Sequence, residues 1–226
     1  MQFELYDHRP DPSTVTDVEN RCYDCLDQLQ IPFTRIDHEP ADTIEICHPI
    51  ERNLGAKICK NLFLCNTQKT RFYLLMMPGD KKFRTKELSK QIGSARLSFA
   101  PEEFMEELLD ITPGSVSVMG LMNDHDNRVE LIMDEDILKG EYFGCHPCIN
   151  TSSLRIKIQD LLDKILQLRS NVIIPEPCFQ RRIDFLLHAS QCHFFLIAAG
   201  KKITEGIKMC LVAAGFVAET ITIHFV

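Results

Sequence analysis

The stretch KNLFLCNTQKTRFYLLMMP, residues 60–78, contains two apolar runs, 61–66 and 71–78, on either side of a short polar segment. Apolar runs of this length, bounded by polar residues, are typical of buried strands, and so short a link favours a hairpin. The chain is therefore expected to contain a sheet with this hairpin near its centre.

Short helices and further strands flank the hairpin. Apolar spacing predicts a helix that Ser13 caps and that runs to about Gln30, and a second, short helix over 85–93 that Thr85 caps. Residues 112–121 are expected to form a turn and a strand that pairs with 127–134. Because many links are of hairpin length, we predict an α+β fold around a mostly antiparallel or mixed sheet.

The pattern predicts two parts, a main domain over 1–168 and a C-terminal extension over 169–226. Pro175 and Pro177 mark a linker, and the apolar segments after it are interrupted by charges, so we expect packing on the main domain or a partner and no membrane span. The opening residues do not resemble a signal peptide, which favours the cytoplasm.

The net charge of the chain limits which partners it is expected to bind. A formal net charge of −7 argues against a protein that coats nucleic acid, and we expect no DNA partner. Residues 80–96 invert this balance, because cations outnumber acids there. The segment is interpreted either as a solvated helix face or as a patch that contacts phosphates.

The segment FGCHPCINT, residues 143–151, poses a choice between a thiol site and a loop that presents His146. Cys145 and Cys148 could form a redox pair, or a zinc site together with Cys22 and Cys25. Because the second pair lies on the apolar face of a predicted helix, core packing explains it better. We expect no metal and no disulfide framework among the ten cysteines.

Lys60, Gly114 and His146 are individual candidates for a binding site. Lys60 stands at the start of a buried strand, Gly114 allows a tight turn, and Pro147 holds His146 in a rigid segment. Each also has a purely structural explanation. The common nucleotide-binding, metalloprotease and serine hydrolase motifs are absent from the sequence.

Six segments in order resemble the YbaK/prolyl-tRNA synthetase-associated editing domain family. Within it, the chain is most similar to the free-standing prolyl-tRNA editing proteins, which hydrolyse alanyl-tRNA(Pro). The similarity covers roughly residues 15–168 and rests on these stretches: KNLFLCN, FYLLMMPGDKKF, KELSKQIGSARLSFAPEEF, TPGSVSVMGLMND, VELIMDEDI and GCHPCINTSSLRIKIQDLL.

The resemblance implies a mixed, largely antiparallel, curved and barrel-like sheet flanked by helices. It also implies the hydrolysis of an aminoacyl ester without a metal or an organic cofactor. The family lysine falls on Lys60, which would hold the 3′ end of the tRNA near its terminal phosphate. The family glycine loop falls on Gly114 to Val118, and its His-Pro and Asn-Thr elements fall on 146–147 and 150–151. These matches predict catalytic roles for Lys60, Gly114 and His146, and substrate-binding roles for Ser115, Val116, Ser117, Val118, Asn150 and Thr151.

One position departs from the family pattern. The glycine loop usually ends in proline, and here it ends in Val118, which loosens a turn that the family holds rigid.

Three hypotheses follow. The first is a trans-acting deacylase of mischarged tRNA(Pro), most often alanyl-tRNA(Pro), with cysteinyl-tRNA(Pro) as the alternative substrate. The second is a non-catalytic module that binds the tRNA end or a protein partner. The third is a thiol or zinc protein built on Cys145 and Cys148. Association with a synthetase or with a second copy stays open.

Overall fold

A computed structural model of the chain describes residues 3–41, 44–165 and 172–173. The strands are β1 (Phe33–Asp37), β2 (Cys59–Asn66), β3 (Phe72–Pro78), β4 (Leu97–Phe99), β5 (Val129–Met133), β6 (Tyr142–Cys145), β7 (Ser152–Lys157) and β8 (Val172–Ile173). The helices are α1 (Asp17–Gln28), α2 (Ile44–Leu54), α3 (Thr85–Gln91), α4 (Glu102–Leu109) and α5 (Ile158–Asp160), which continues as a π-helix over Leu161–Ile165.

The described strands form two sheets. One has the order β1-β7-β6 and is antiparallel, and the other has the order β4-β2-β3-β5-β8. In the second sheet β3, β5 and β8 run parallel to one another, whereas β2 is antiparallel to both of its neighbours. The predicted α+β class with a mixed, largely antiparallel arrangement is confirmed, but the described strands do not close into a barrel.

The predicted hairpin is the centre of the larger sheet. Strands β2 and β3 pair over their length, with Lys60 opposite Met77 and Cys65 opposite Phe72. Alternate residues of a strand point to opposite faces of the sheet, and both faces of the hairpin are covered. One face packs against Leu88 of α3, and the other contributes to the main core. This burial on both faces explains why the two strands are continuous apolar runs.

Helix positions were predicted well, and their caps less so. Thr16, not Ser13, caps α1, and it forms a reciprocal capping box with Glu19. Ser13 instead lies in a short 3₁₀-helix, Pro12–Thr14. Helix α3 begins at Thr85 itself. The first error has a local cause, because Ser13, Thr14 and Thr16 all satisfy the rule for a cap. Helix α3 differs, since Arg84 precedes it and no side chain caps it.

The prediction for residues 112–134 was wrong in its pairing. Residues Val118–Asn123 form a 3₁₀-helix instead of a strand, and Ser117 caps it by accepting a hydrogen bond from the Met119 amide. Strand β5 was correctly located, but it pairs with β3 and β8. The β-branched pattern indicated burial, and burial here comes from packing in the core.

The predicted division at residue 168 stays a prediction. The backbone of β8 lies beyond that point and pairs with β5 in the larger sheet. The remainder of the proposed extension, 169–171 and 174–226, lies outside the described residues. Within the described part, no helix is long and apolar enough to cross a membrane.

Candidate functional site

The two sheets meet at one point, where Ile58 and Gly144 form an isolated parallel bridge. The Gly144 amide donates to the Lys57 carbonyl over 2.7 Å. A Cβ atom on Gly144 would lie 3.1 Å from both the Ile58 Cα and the Lys57 carbonyl oxygen, so any other residue would push the two backbones apart by a few tenths of an ångström. Because β2 starts beside this bridge and β6 ends beside it, Lys60 and His146 become neighbours.

A cavity of about 310 Å³ opens at this junction. Lys60, Gly114 and His146, which the sequence resemblance singled out as catalytic, all line it, as does Val116. The other lining residues are Ala41, Cys47, Glu51, Ile58, Cys59, Asn61 and Gly79. Three segments that are far apart in the chain therefore contribute to one pocket, at the lower end of the size range for small-molecule sites.

A tight turn places Gly114 at the pocket. The Ser115 amide donates to the Thr112 carbonyl over 3.1 Å. Gly114, which follows Pro113, has a φ of 88°, a left-handed conformation that favours glycine. Of the other residues of the predicted glycine loop, Val116 lines the pocket, whereas Ser115, Ser117 and Val118 do not. Ser115 and Ser117 are buried, and Val118 is fully buried in the core. Ser117 Oγ donates to the His146 carbonyl over 2.5 Å, which ties the loop to the histidine.

Hydrogen bonding determines the tautomer of His146. The side chain is only 7% exposed, and its Nδ1 lies 2.8 Å from the Ser152 carbonyl oxygen. A carbonyl oxygen can only accept, so Nδ1 carries the proton and Nε2 of the neutral ring is an acceptor. Burial lowers the pKa of His146, with the Ser152 carbonyl opposing the shift, so the ring is neutral near pH 7.

A chain of hydrogen bonds continues from His146 to His38. The Ser153 hydroxyl lies 3.4 Å from His146 Nδ1 and 2.9 Å from His38 Nε2. His38 Nδ1 lies 2.8 Å from the Glu39 carbonyl, so that nitrogen also carries its proton. The Ser153 hydroxyl must then donate to His38, and it accepts from His146 only by sharing the Nδ1 proton with the Ser152 carbonyl. Burial lowers the pKa of His38 too, which keeps the chain in this direction at neutral pH.

Two neighbouring residues of β2 provide complementary groups at the pocket. Lys60 Nζ donates to the Lys81 carbonyl over 3.1 Å, which uses one of its three donors. Asn61 Nδ2 donates to the Cys59 carbonyl over 3.3 Å, whereas its Oδ1 is buried and has no hydrogen-bond partner in the described part of the chain. A buried acceptor without a partner costs free energy, so Asn61 is a candidate to receive a donor from a ligand.

Asn150 and Thr151 follow the His146 segment and contact the chain after β1. Both are half-buried, and neither is among the residues that line the cavity. Their backbone carbonyls accept from the Ala41 and His38 amides over 3.1 Å and 2.8 Å. In this structure they fix the path of the chain after β1, and so hold His38 and Ala41 in place. Their predicted contact with substrate stays a prediction.

The cysteines on either side of His146 point away from the pocket and into the core. Cys145 is fully buried and Cys148 nearly so, and the pKa of Cys145 is raised well above its usual value by burial. The two Cys-x-x-Cys pairs do meet, since a hydrogen bond with Cys148 raises the pKa of Cys22. No group of three or more His, Cys, Asp or Glu in residues 3–41 and 44–165 is placed to hold a metal ion. The raised pKa values keep the Cys22 and Cys145 thiols protonated and unreactive.

A larger cavity, about 560 Å³, lies between α1 and the 3₁₀-helix Val118–Asn123. Its lining includes Arg21, Asp24 and Met122 and none of the candidate residues. Its size alone does not make it the reactive site, since it lacks a convergent set of polar groups with altered pKa values.

Sequence analysis missed Asn61, His38 and Ser153. Asn61 directly follows Lys60, so its position could have suggested a role, but its unpartnered oxygen is a property of the fold. His38 and Ser153 are separated by 115 residues, and they meet because β1 and β7 pair with Ile36 opposite Ser153.

Comparisons with known proteins agree with this geometry. A family model described as the aminoacyl-tRNA editing domain matches residues 38–164. The chain is 35% identical over 146 residues to the prolyl-tRNA editing protein ProX of Acetoanaerobium sticklandii. This alignment covers 65% of this chain and 88% of that protein. It is 30% identical over 148 residues to prolyl-tRNA synthetase associated domain-containing protein 1 of Danio rerio, covering 65% and 80%.

Solved structures show the same fold at lower identity. A candidate trans-editing enzyme for prolyl tRNA synthetase superposes with a TM-score of 0.55 at 16% identity, over 71% of this chain and 98% of the other. The family model spans more than half of the chain and includes Lys60, Gly114 and His146. The chain therefore belongs to the aminoacyl-tRNA editing domain family.

Proposed function

We propose that the protein is a trans-acting deacylase of mischarged tRNA(Pro), with alanyl-tRNA(Pro) as its main substrate. Family membership makes it an enzyme that hydrolyses an aminoacyl-tRNA ester. The observation that carries the proposal is the single cavity at the sheet junction, lined by Lys60, Gly114 and His146. Its relatives include a protein named for prolyl-tRNA editing, which supports tRNA(Pro) as the substrate.

The reaction needs placement more than it needs a strong nucleophile, because an aminoacyl ester is already activated. Correct placement of the ester carbonyl and a water can itself contribute several kcal/mol. The backbone of the Gly114 turn would lie against the carbonyl, where amide donors stabilise the developing oxyanion. The neutral His146 offers an acceptor at Nε2, which would receive a hydrogen bond from the water or from the adjacent ribose hydroxyl.

Lys60 and Asn61 would hold the two ends of the aminoacyl-adenosine. Lys60 keeps two donors after its bond to the Lys81 carbonyl, and an ammonium group is well suited to the terminal phosphate. The buried Oδ1 of Asn61 would accept from the α-ammonium group of the amino acid, which would satisfy an atom that otherwise has no partner.

Size would provide the selectivity. A cavity of about 310 Å³, with Ala41, Ile58 and Val116 as its apolar walls, favours a small side chain. One methylene more or less in such a pocket changes binding by about 1–3 kcal/mol. Alanine would enter and proline would be excluded, and cysteine, which adds one sulfur atom to alanine, is the alternative substrate.

Incubation of the purified protein with alanyl-, cysteinyl- and prolyl-tRNA(Pro), followed by the loss of each ester, tests the proposal. We expect release of alanine, slower release of cysteine and no release of proline, with all release lost in Lys60→Ala. If tRNA binds but no ester is hydrolysed, the protein is the non-catalytic module. If cysteine is released fastest, the assignment of the main substrate is wrong.

We further propose that residues 1–168 form the editing unit, and that 169–226 are an extension outside it. This assignment is supported by the family match, which ends at residue 164. A truncated chain ending after β8 should keep its deacylation rate on free alanyl-tRNA(Pro). Loss of hydrolysis in a folded truncation would place the extension within the catalytic unit.

A further inference from the structure

A cluster of basic side chains covers α3 and the residues on either side of it. Within 80–96 the chain has six cations and two acids, although its overall formal charge is −7. All six cations are exposed, but Lys81 pairs with Asp134 and Asp136, and Arg84 pairs with Glu87. We call the other four, Lys82, Lys86, Lys90 and Arg96, the basic face.

The basic face differs from the other charged surface in having no ionic partners. Elsewhere cations usually pair with acids, as Arg9 does with Asp24 and Arg71 with Glu130. No ion pair in residues 3–41 and 44–165 includes any of the four side chains of the basic face. Lys86 and Lys90 are even one helical turn apart, an arrangement that costs about 0.2–0.5 kcal/mol. An acidic chain that leaves four cations unpaired together has a surface suited to an external polyanion.

The basic face begins at the mouth of the pocket. Lys60 projects from the same side of β2 as Leu62 and Leu64, since it is separated from them by even steps. That side is the one on which Leu88 of α3 packs. Lys60 also donates to the Lys81 carbonyl, and Gly79 lines the cavity. A bound polyanion that leaves the pocket past Lys60 would therefore reach α3 next.

An exposed aromatic ring stands at the same edge of the sheet. Phe99, on the edge strand β4, is 62% exposed, and it contacts Phe83 edge-on with ring centroids 6.3 Å apart. Exposed rings beside cations are a common platform for unpaired bases, and each stacked base contributes about 1–3 kcal/mol. Within residues 3–41 and 44–165, few large apolar side chains are as exposed as Phe99.

We propose that the basic face, with Phe99, binds the phosphate backbone and the unpaired 3′ nucleotides of the tRNA acceptor end whose terminus lies in the pocket. The inference rests on the proposed function and adds the route of the RNA across the protein. Lys60 holds the last phosphate, Phe99 stacks on an unpaired base, and the basic face contacts the phosphates that precede it.

The double variant Lys86→Glu/Lys90→Glu tests the proposal. Binding of uncharged tRNA(Pro) is measured by fluorescence anisotropy from about 50 to 200 mM salt. We expect affinity to fall at least tenfold at the lower salt concentrations. The slope of log K against log salt should become shallower by about 0.7–0.9 for each lost phosphate contact.

A matched control separates the basic face from general charge. Lys157, at the end of β7 in the other sheet, is also exposed and has no ion pair in the described part of the chain. Lys90→Glu should weaken tRNA binding severalfold more than Lys157→Glu, although both change the net charge equally. Equal effects of the two variants would overturn the proposal, as would an unchanged affinity and slope in the double variant.

Two further measurements distinguish this proposal from its alternatives. Hydrolysis of an alanyl ester of a short CCA oligonucleotide should be unchanged in the double variant, whereas KM for alanyl-tRNA(Pro) should rise at least tenfold with kcat kept. If no ester is hydrolysed even by the unmodified protein, the proposed function fails while the tRNA-binding comparison still decides the surface. Binding of the basic face to anionic lipid vesicles, without tRNA binding, would assign it to a membrane and overturn the proposal.

Discussion

The pocket and the basic face meet at Lys60, but they are built in opposite ways. In the pocket, His146 is almost completely buried and both its ring and its backbone carbonyl are hydrogen-bonded. On the basic face, the side chains are exposed and have no ion pairs in the described part of the chain. The first arrangement suits chemistry, which depends on fixed distances, and the second suits a flexible polyanion, which depends on charge.

Lys60→Ala should have the largest effect, because Lys60 belongs to both regions. We expect kcat/KM for alanyl-tRNA(Pro) to fall about 10²–10³-fold, because the substrate loses a charge-assisted contact with its terminal phosphate and with it the correct placement of the ester. Lys60→Arg, which keeps the charge and changes the geometry, should recover part of this loss. A Lys60→Ala variant with near-normal kcat/KM would remove Lys60 from the site and break the connection between the two regions.

Asn61→Ala should separate activity from stability. Loss of a hydrogen bond to a charged group costs about 1.5–3 kcal/mol, so kcat/KM should fall roughly 10- to 100-fold. The melting temperature should be unchanged or higher, because the variant removes a buried acceptor that has no partner.

Asn66→Ala is the matched control for Asn61→Ala. The Asn66 side chain accepts from the Thr70 and Arg71 amides and donates to the Thr70 hydroxyl. We therefore expect it to lower the melting temperature and to leave kcat/KM unchanged. The reverse pattern for the two variants would show that Asn61 is structural.

Ser153→Ala should reduce kcat about tenfold through the orientation of His146. The variant removes an acceptor that favours the protonated ring, so the acid limb of the pH–rate profile should move to lower pH. Ser152→Ala on the same strand, whose hydroxyl bonds the Ile36 carbonyl, should leave the profile in place. Equal shifts in the two variants would contradict a specific role for the chain from His38 to His146.

The depressed pKa values of His38 and His146 also predict how stability depends on pH. Below about pH 6.5 the unfolded chain takes up protons that the folded protein does not. The free energy of unfolding therefore decreases as the pH is lowered, until the pH reaches the pKa of the two histidines in the folded protein. Melting temperatures measured between pH 7.5 and 5 should decrease over the acid part of that range, and His38→Gln should reduce the dependence. A flat profile would contradict the burial of neutral imidazoles.

Cys145→Ala/Cys148→Ala should have the smallest effect on activity. Both side chains lie in the core, so we expect kcat/KM within about twofold of the unmodified protein and a loss of about 1–2 kcal/mol in stability. Deacylation and bound metal are measured together. Parallel loss of activity and of bound zinc would restore the hypothesis of a zinc protein.

Much of the secondary structure was predictable because its causes are local. The hairpin β2–β3 follows from two apolar runs and a polar link, and α1 and α4 follow from apolar spacing. The pairing of β5 was not predictable, since a buried apolar strand fits equally well beside several neighbours. The same limit explains why residues 116–121 were predicted as a strand.

The sequence alone determined the local elements, the inversion of charge over 80–96 and the order of motifs that identifies the editing family. The tertiary structure decided that Lys60, Gly114 and His146 share one cavity, that Val118 lies in the core, and that Ser153 connects His38 to His146. The physical reason is that strand register and the close approach at Gly144 depend on the packing of distant segments against one another. A helix or a charge cluster depends mainly on neighbours in the chain.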